Sequence, residues 1–97
     1  MAYYVIGQVN LKDDSWVPEY VANVTSLVER YGGRYLARSP NVERVEGDRE
    51  PPHLCAIVEF PSRDAAMSFY ASAEYSPYLR ARQQGASSEL ILVPGEI

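Results

Sequence analysis

The sequence has one cysteine and one histidine among its 97 residues. A lone cysteine excludes a disulfide framework, and a lone histidine excludes the multi-histidine sites that are typical of zinc. No apolar run approaches the ~20 residues that a membrane-spanning helix needs. The first residues, Met1–Val5, lack the positive charge and the apolar core of a secretory signal. We therefore expect a cytoplasmic protein with no membrane partner and no metal site.

Positive charge is scarce as well, because 9 basic residues face 13 acidic ones and give a net charge of −4. No basic surface can dominate such a chain, so we expect no nucleic-acid partner. The sequence also lacks a phosphate-binding loop, a dinucleotide fingerprint and a nucleophile elbow, and we expect no cofactor. What is present is typical of a globular chain: 46% of the residues are hydrophobic and 23% are charged. With no linker in view, this length predicts a single domain over residues 1–97.

Segments with strand periodicity alternate with segments of helical periodicity, and they predict the order β-α-β-β-α-(α)-β. Asp14 or Ser15 is the expected cap of the first helix, and Gly32-Gly33 its end. Ser62 is the expected cap of the second helix. The predicted strands are Tyr3–Val9, Arg34–Arg38 with a bend near Ser39-Pro40 and a continuation through Val42–Glu46, Leu54–Phe60 and Glu89–Val93. The predicted helices run from Val17 to Tyr31, from Ser62 to Ser72 and from Ser76 to Gln84.

Two βαβ crossovers joined by a hairpin predict an α+β, ferredoxin-like βαββαβ fold, with the helices on one face of an antiparallel sheet. Strand alternation places Tyr4, Ile6 and Gln8 on one face and Tyr3, Val5, Gly7 and Val9 on the other. Both faces are largely apolar, and a bare apolar face is rare on monomers. We therefore expect a homodimer through the open face, which would make a dimeric α/β barrel. The alternative is a cover supplied by the same chain.

Two polar residues, Gln8 and Glu59, fall among apolar neighbours on that open face. A carboxylate in such a place needs a positive partner, which Arg34, Arg38 or a partner subunit can supply. Glu59 is therefore either half of a structural ion pair or a general acid/base in a pocket.

Other candidate site residues come from the loops and helices. His53 precedes the central strand and is either a base or a solvated loop residue. Arg38 and Arg82 can hold a carboxylate or an enolate through the guanidinium fork, or can neutralise other groups of the chain. The tyrosines that can line a pocket, each with an apolar body and one hydroxyl, are Tyr4, Tyr20, Tyr70 and Tyr75.

Five blocks of sequence are similar to a known family. They are Tyr31–Arg38 (YGGRYLAR), Val45–Gly47, Ile57–Ala66, Ser72–Tyr75 and Leu90–Gly95, and they resemble, in order, the domain-of-unknown-function family numbered 1330. There are two departures: Ser39-Pro40 stands where the family often has glycines, and Ala73 stands in place of a proline.

The resemblance implies a place in the dimeric α/β-barrel superfamily, in which two sheets pack into a barrel. Relatives there include cofactor-free monooxygenases, muconolactone isomerases, polyketide cyclases and haem proteins. The family itself has no general activity, and a shared fold is weak support for any one chemistry.

Three functions remain open. The first is a homodimer that binds a small carboxylated or aromatic molecule and catalyses cofactor-independent isomerisation, cyclisation or decarboxylation. Glu59 or His53 would be its base, and an arginine would stabilise the oxyanion. The second is a non-catalytic interaction or regulatory module, its barrel filled by Ile6, Leu36, Ile57 and Leu92, without a cavity of ~300 Å³. The third is a cofactor-free monooxygenase.

Overall fold

A computed structural model describes all residues, 1–97, as four strands and three helices. The strands are β1 (Tyr3–Leu11), β2 (Arg34–Ser39), β3 (Leu54–Phe60) and β4 (Ala86–Pro94). The helices are α1 (Val17–Arg30), α2 (Arg63–Tyr70) and α3 (Ser76–Gly85). None of the helices combines the length and the hydropathy that crossing a membrane requires.

The four strands form one sheet in the order β2-β3-β1-β4, and every neighbouring pair is antiparallel. This order, with helices in the two crossovers, is the ferredoxin-like arrangement, and the predicted α+β fold is confirmed. The element that departs from a plain βαββαβ chain is α3, which lies between α2 and β4 as the sequence predicted.

Local chemistry explains where the helices begin and end. The Ser62 hydroxyl accepts a hydrogen bond from the Ala65 amide at 3.0 Å, which confirms the predicted cap of α2. After α1, Gly32 takes a φ of +83°, a conformation that glycine tolerates best. Gly33 follows so close to the Phe60 and Val28 side chains that a Cβ would lie 2.7 and 2.8 Å from them. The two glycines therefore let the chain turn tightly from α1 into β2.

Several predicted boundaries were wrong. Trp16, not Asp14 or Ser15, is the cap residue of α1, because Asp13 instead accepts bonds from the Ser15 amide and hydroxyl, at 3.1 and 2.6 Å. These bonds from Ser15 also lower the pKa of the Asp13 carboxyl. Strand β4 begins at Ala86 rather than Glu89, since its small polar start still pairs with the end of β1.

The second strand also differs from the prediction. Its irregularity falls between Tyr35 and Ala37, not at Ser39-Pro40. The stretch Val42–Glu46 is not a strand but part of a loop without regular structure. The bulge has a consequence for side-chain direction: Tyr35 and Arg38, three residues apart, both face the helices.

The core lies between the sheet and the helices. It includes Val24, Leu27 and Val28 of α1, which are at most 2% exposed, against Val58 and Phe60 of β3. An aromatic cluster extends this core towards α3, with the Phe69 and Tyr75 ring centroids 4.4 Å apart.

The opposite face of the sheet carries no helix, as alternation predicted. It presents Tyr4, Ile6 and Gln8 of β1 beside Ile57 and Glu59 of β3. Ile91 and Val93 of β4 continue the same face. Leu92, which the sequence assigned to a barrel interior on this face, instead pairs with Val5 and packs against the helix-side core.

Candidate functional site

A cavity of about 100 Å³ lies between the helix-facing side of the sheet and helices α1 and α3. Sixteen of its 19 lining residues are hydrophobic. We call it the central cavity. Its lining includes Gly7, Trp16, Tyr20, Tyr35, Arg38, Tyr75, Arg82 and Leu90.

Small residues in the middle of the sheet leave this space. Gly7 of β1 has no side chain, and its neighbours across the strands are Ala56 on β3 and Leu90 on β4. Leu90 leans over Gly7, with its Cγ 3.7 Å from the point that a Cβ would occupy. The central cavity therefore reaches down to the sheet at Gly7 and Ala56, and Leu90 closes it on the β4 side.

Arg82 of α3 is the buried charge of the site. It is 5% exposed, and its Nε is enclosed without a hydrogen-bond partner. No carboxylate pairs with it, because the one salt bridge of the chain joins Arg34 to Glu59. A buried charge without a partner costs several kcal/mol. The guanidinium thus has no counter-charge. Burial lowers the pKa of Arg82, but the neighbouring Tyr75 and Tyr20 hydroxyls raise it by more, and the net pKa lies above its usual range.

Two tyrosine hydroxyls meet at the same wall. The Tyr20 and Tyr75 oxygens are 2.5 Å apart, and Tyr75 is 1% exposed. Burial raises the pKa of Tyr20 well above its usual range, and the neighbouring Tyr75 adds to the effect. A pair of hydroxyls that share one hydrogen bond keeps one hydrogen free to donate elsewhere. This wall therefore offers a neutral donor, not a base.

Trp16 closes the cavity beside α1. Its ring packs edge-on against Tyr20, with centroids 5.2 Å apart, and its Nε1 is buried without a partner. Gly85 makes room for the indole, because a Cβ at that position would lie 2.3 Å from two ring atoms. Trp16 and Arg82 therefore bring two unsatisfied N–H donors to one apolar space.

Arg38 is the second cation on the lining. Its Nη1 donates to the Thr25 hydroxyl at 2.9 Å, and its guanidinium lies 4.4 Å from the centroid of the Tyr35 ring. Burial raises the pKa of Tyr35, against the opposing effect of Arg38. Arg38 is exposed and already bonded, in contrast to Arg82.

Three residues that the sequence singled out lie on the open face of the sheet instead. Glu59 accepts a hydrogen bond from Arg34 Nε at 2.9 Å, and its side chain is 25% exposed. Tyr4 is the cross-strand neighbour of Glu59, and Gln8 is that of Cys55. The sheet separates all three from the central cavity.

His53 lies at the start of β3, outside both faces. Its Nδ1 accepts a hydrogen bond from the Leu11 amide at 2.8 Å, and its own amide donates to Asn10 Oδ1 at 3.3 Å. The imidazole thus ties the long loop before β3 to the end of β1. Tyr70, the remaining candidate, lines a neighbouring groove that also touches Arg82.

Of the eight predicted site residues, the structure brings Arg38, Arg82 and Tyr75 together at the central cavity. Sequence reasoning did not assign Trp16 or Tyr35 to a site. The single tryptophan was an available signal, whereas Tyr35 needed the bulge that turns it toward the helices.

No aspartate, glutamate or histidine lines the cavity, and no group of three His, Cys, Asp or Glu residues could hold a metal ion.

Comparison with known proteins gives a family. The model of the Domain of unknown function (DUF1330) family matches residues 2–96, so the chain belongs to that family. No curated protein matches the sequence.

Solved structures with the same fold have sequences that are 14–20% identical to this chain in the three cases that follow. A protein of unknown function from Rhodopseudomonas palustris is 20% identical, with a TM-score of 0.80 over 99% of this chain and 84% of that chain. SnoaB, a cofactor-independent oxygenase from Streptomyces nogalater, is 15% identical, with a TM-score of 0.71 over 99% and 94%. An antibiotic biosynthesis monooxygenase is 14% identical, with a TM-score of 0.64 over 100% of both chains. At these identities the likeness shows the fold alone.

Proposed function

We propose that this member of the DUF1330 family binds a small organic anion in the central cavity, with an apolar or aromatic part among the hydrophobic walls and an anionic oxygen on Arg82. The observation that carries the proposal is the guanidinium itself, 5% exposed and without a counter-charge. A bound carboxylate, enolate or phenolate would satisfy it through charge-assisted hydrogen bonds.

The charges around the cavity support an anion over a cation. The chain as a whole is at −4, yet both charged residues on the lining, Arg38 and Arg82, are positive. The tyrosine wall is neutral and donates, and Trp16 adds an N–H. Every unsatisfied polar group is therefore a donor, and donors complement an oxygen that carries negative charge.

The lining also favours one kind of reaction among the cofactor-independent ones. With no carboxylate or imidazole in the cavity, the guanidinium can stabilise charge, but no ordinary base can take a proton. Decarboxylation of a β-keto acid fits this best: the carbon–carbon bond breaks, carbon dioxide leaves, and the electron pair moves onto the carbonyl oxygen as an enolate beside Arg82. Water then protonates the enolate. Isomerisation with Glu59 or His53 as base stays a prediction that would require a site elsewhere on the chain.

A second candidate is a cofactor-free monooxygenase acting on a phenol. The same donors would hold the phenolate, and SnoaB, with this fold, is a cofactor-independent oxygenase. Benzoylacetate, a β-keto acid with a phenyl ring, is a test substrate for the first candidate. Its decarboxylation releases carbon dioxide without using oxygen, whereas oxygenation of a phenol consumes oxygen. An oxygen electrode therefore separates the two candidates, and activity in neither assay would favour a non-catalytic binding module.

Binding can be measured through the only tryptophan, because Trp16 lines the cavity. We expect benzoate to quench its fluorescence saturably, and the neutral isostere benzamide to bind at least about tenfold more weakly, since it lacks the charge. Arg82→Met should remove the preference for benzoate.

The matched control is Arg80→Met, which removes an exposed arginine from the same helix. It should leave benzoate binding unchanged. Equal affinity of the wild type for benzoate and benzamide, or benzoate binding that survives Arg82→Met, would contradict the proposal.

We also propose that a second copy of the chain covers the open face of the sheet. Ile91, Leu36 and Val93 are 57%, 47% and 36% exposed in the single chain, and Tyr4 and Ile6 adjoin β4 on this face. An apolar surface of this kind marks an interaction site, and a twofold pair buries the same patch on both copies. The Arg34–Glu59 ion pair would then lie at the edge of the interface.

A further inference from the structure

The central cavity is too small for a whole metabolite. Its 100 Å³ is below the ~150 Å³ of a cavity known to hold benzene, and ligand pockets usually exceed ~300 Å³. It can therefore hold a branched alkyl group as it stands, and a single ring only when a flexible side chain of its wall, such as Leu90, shifts. The rest of any larger ligand must leave through one of its walls.

A second groove shares two of those walls. It has a volume of about 320 Å³, and it is lined by Tyr70, Arg82, Gln83, Ala86, Ser88 and Leu90. Arg82 and Leu90 belong to both spaces, so the buried guanidinium stands at the junction between them. Together the two spaces reach the size of an ordinary ligand pocket.

The chemistry of the groove differs from that of the cavity. Half of its lining residues are polar or charged, against two of 19 in the cavity, Arg38 and Arg82. Tyr70 and Gln83 are exposed and bring a hydroxyl and an amide. Ser88 Oγ is buried without a partner, like Arg82 Nε beside it on the lining. The groove therefore suits a substituent that donates and accepts hydrogen bonds.

From this continuity we propose that the ligand has two parts, with Arg82 between them: an apolar ring in the central cavity and a polar arm, of amide or hydroxyl character, in the groove. The anionic oxygen sits on Arg82 at the junction. This inference rests on the proposed function and adds the class of ligand, an aromatic or branched acid substituted next to its anionic group.

Leu90 is the residue that decides whether the two spaces communicate. It lies over Gly7 and is 37% exposed, so its side chain forms the partition on the sheet side. A shift of this one flexible side chain would widen the passage without disturbing the hydrogen bonds of β4.

Two probes that differ only in the arm test the proposal. N-Acetylphenylalanine and 3-phenylpropanoate share the ring and the carboxylate, and only the first has an acetamide beside the carboxylate. We expect N-acetylphenylalanine to bind about fivefold to tenfold more tightly, as one or two hydrogen bonds would give. Gln83→Leu should abolish this difference and leave the affinity for 3-phenylpropanoate unchanged.

The chain supplies a matched control in the next residue. Gln84 is an exposed glutamine of the same helix that lines neither space, so Gln84→Leu should change neither affinity. Equal affinities for the two probes in the wild type would overturn the two-part ligand and leave the anion site standing. Failure of both probes to quench Trp16 while benzoate still quenches it would overturn the inference alone, and failure of benzoate as well would overturn the proposed function.

Discussion

The side-chain hydrogen bonds of the arginines lie at exposed residues, where they add little to the stability of the folded chain. Four of the seven exposed arginines donate side-chain hydrogen bonds, whereas the buried Arg82 has an enclosed Nε without a partner. A charged group without a partner costs several kcal/mol when it is buried and little when it is exposed, because water then solvates it. The bonded arginines and their partners are Arg34 with Glu59, Arg38 with Thr25, Arg44 with the carbonyls of Arg49 and Glu50, and Arg80 with Ser76.

The buried phenols give a prediction at high pH. Burial raises the pKa of Tyr20 and of Tyr35, so both stay protonated in the folded chain where an unfolded tyrosine, with a pKa of about 10, ionises. Above about pH 10 the unfolded state then binds fewer protons than the folded state, and the free energy of unfolding falls as the pH rises.

Tyr20→Phe removes one of these groups, and its free energy of unfolding should fall less steeply between pH 10 and pH 11. Urea titrations of both proteins at pH 8, 10 and 11 give the slopes. Parallel losses in the two proteins would show that Tyr20 ionises as freely in the folded chain as in the unfolded one.

At the scale of the elements, alternation was the most reliable guide. The strand registers pair Ile6 with Ile57 and Val5 with Val58, which confirms the two faces read from the sequence. The faces could be predicted because a two-residue period leaves no freedom within a regular strand. Boundaries were less certain, since local side-chain bonds such as Asp13 with Ser15 compete with helix capping.

The candidate site was predictable only in part, because some of its residues reach the cavity through contacts between distant elements. Arg82 and Tyr75 could be proposed because residue type alone marks them as anion and pocket groups. Arg38 reaches the cavity through the bulge in β2, and Trp16 through the space left by Gly85. Both depend on contacts between elements far apart in sequence, and no local pattern encodes them.

His53, a candidate base by residue type, has a structural role at the junction of two strands. Its Nδ1 is the acceptor for the Leu11 amide, at 2.8 Å, and this bond joins β1 to the start of β3. A histidine with one ring nitrogen engaged in this way serves the fold, and its role as a base stays a prediction.

At the scale of the whole molecule, the two proposed sites lie on opposite faces of the sheet. The helix side encloses the central cavity, and the open side has the exposed apolar residues that a second copy would cover. Because the sheet stands between them, changes on one face can be made without altering the other directly.

The proposed dimer can be tested with Ile91→Lys, which places a charge at an apolar position that is 57% exposed in the single chain. Sedimentation should give a dimer for the wild type and a monomer for this variant at micromolar concentration, since burying two unpaired lysines is costly. Ser68→Lys, at an exposed polar position of α2 on the other side of the sheet, is the control and should remain dimeric. A wild-type monomer would contradict the proposal.

The buried Arg82 guanidinium lacks a counter-charge until an anion binds, and the proposed function depends on this more than on any other feature. The free energy of unfolding of Arg82→Met, measured in urea without ligand, tests it directly, with Arg80→Met as control. Replacing an uncompensated buried charge by an apolar side chain of similar length should stabilise the chain, by about 1–4 kcal/mol, while benzoate no longer stabilises it. A loss of stability of similar size would mean that the chain already supplies the partner of Arg82, and would contradict the account.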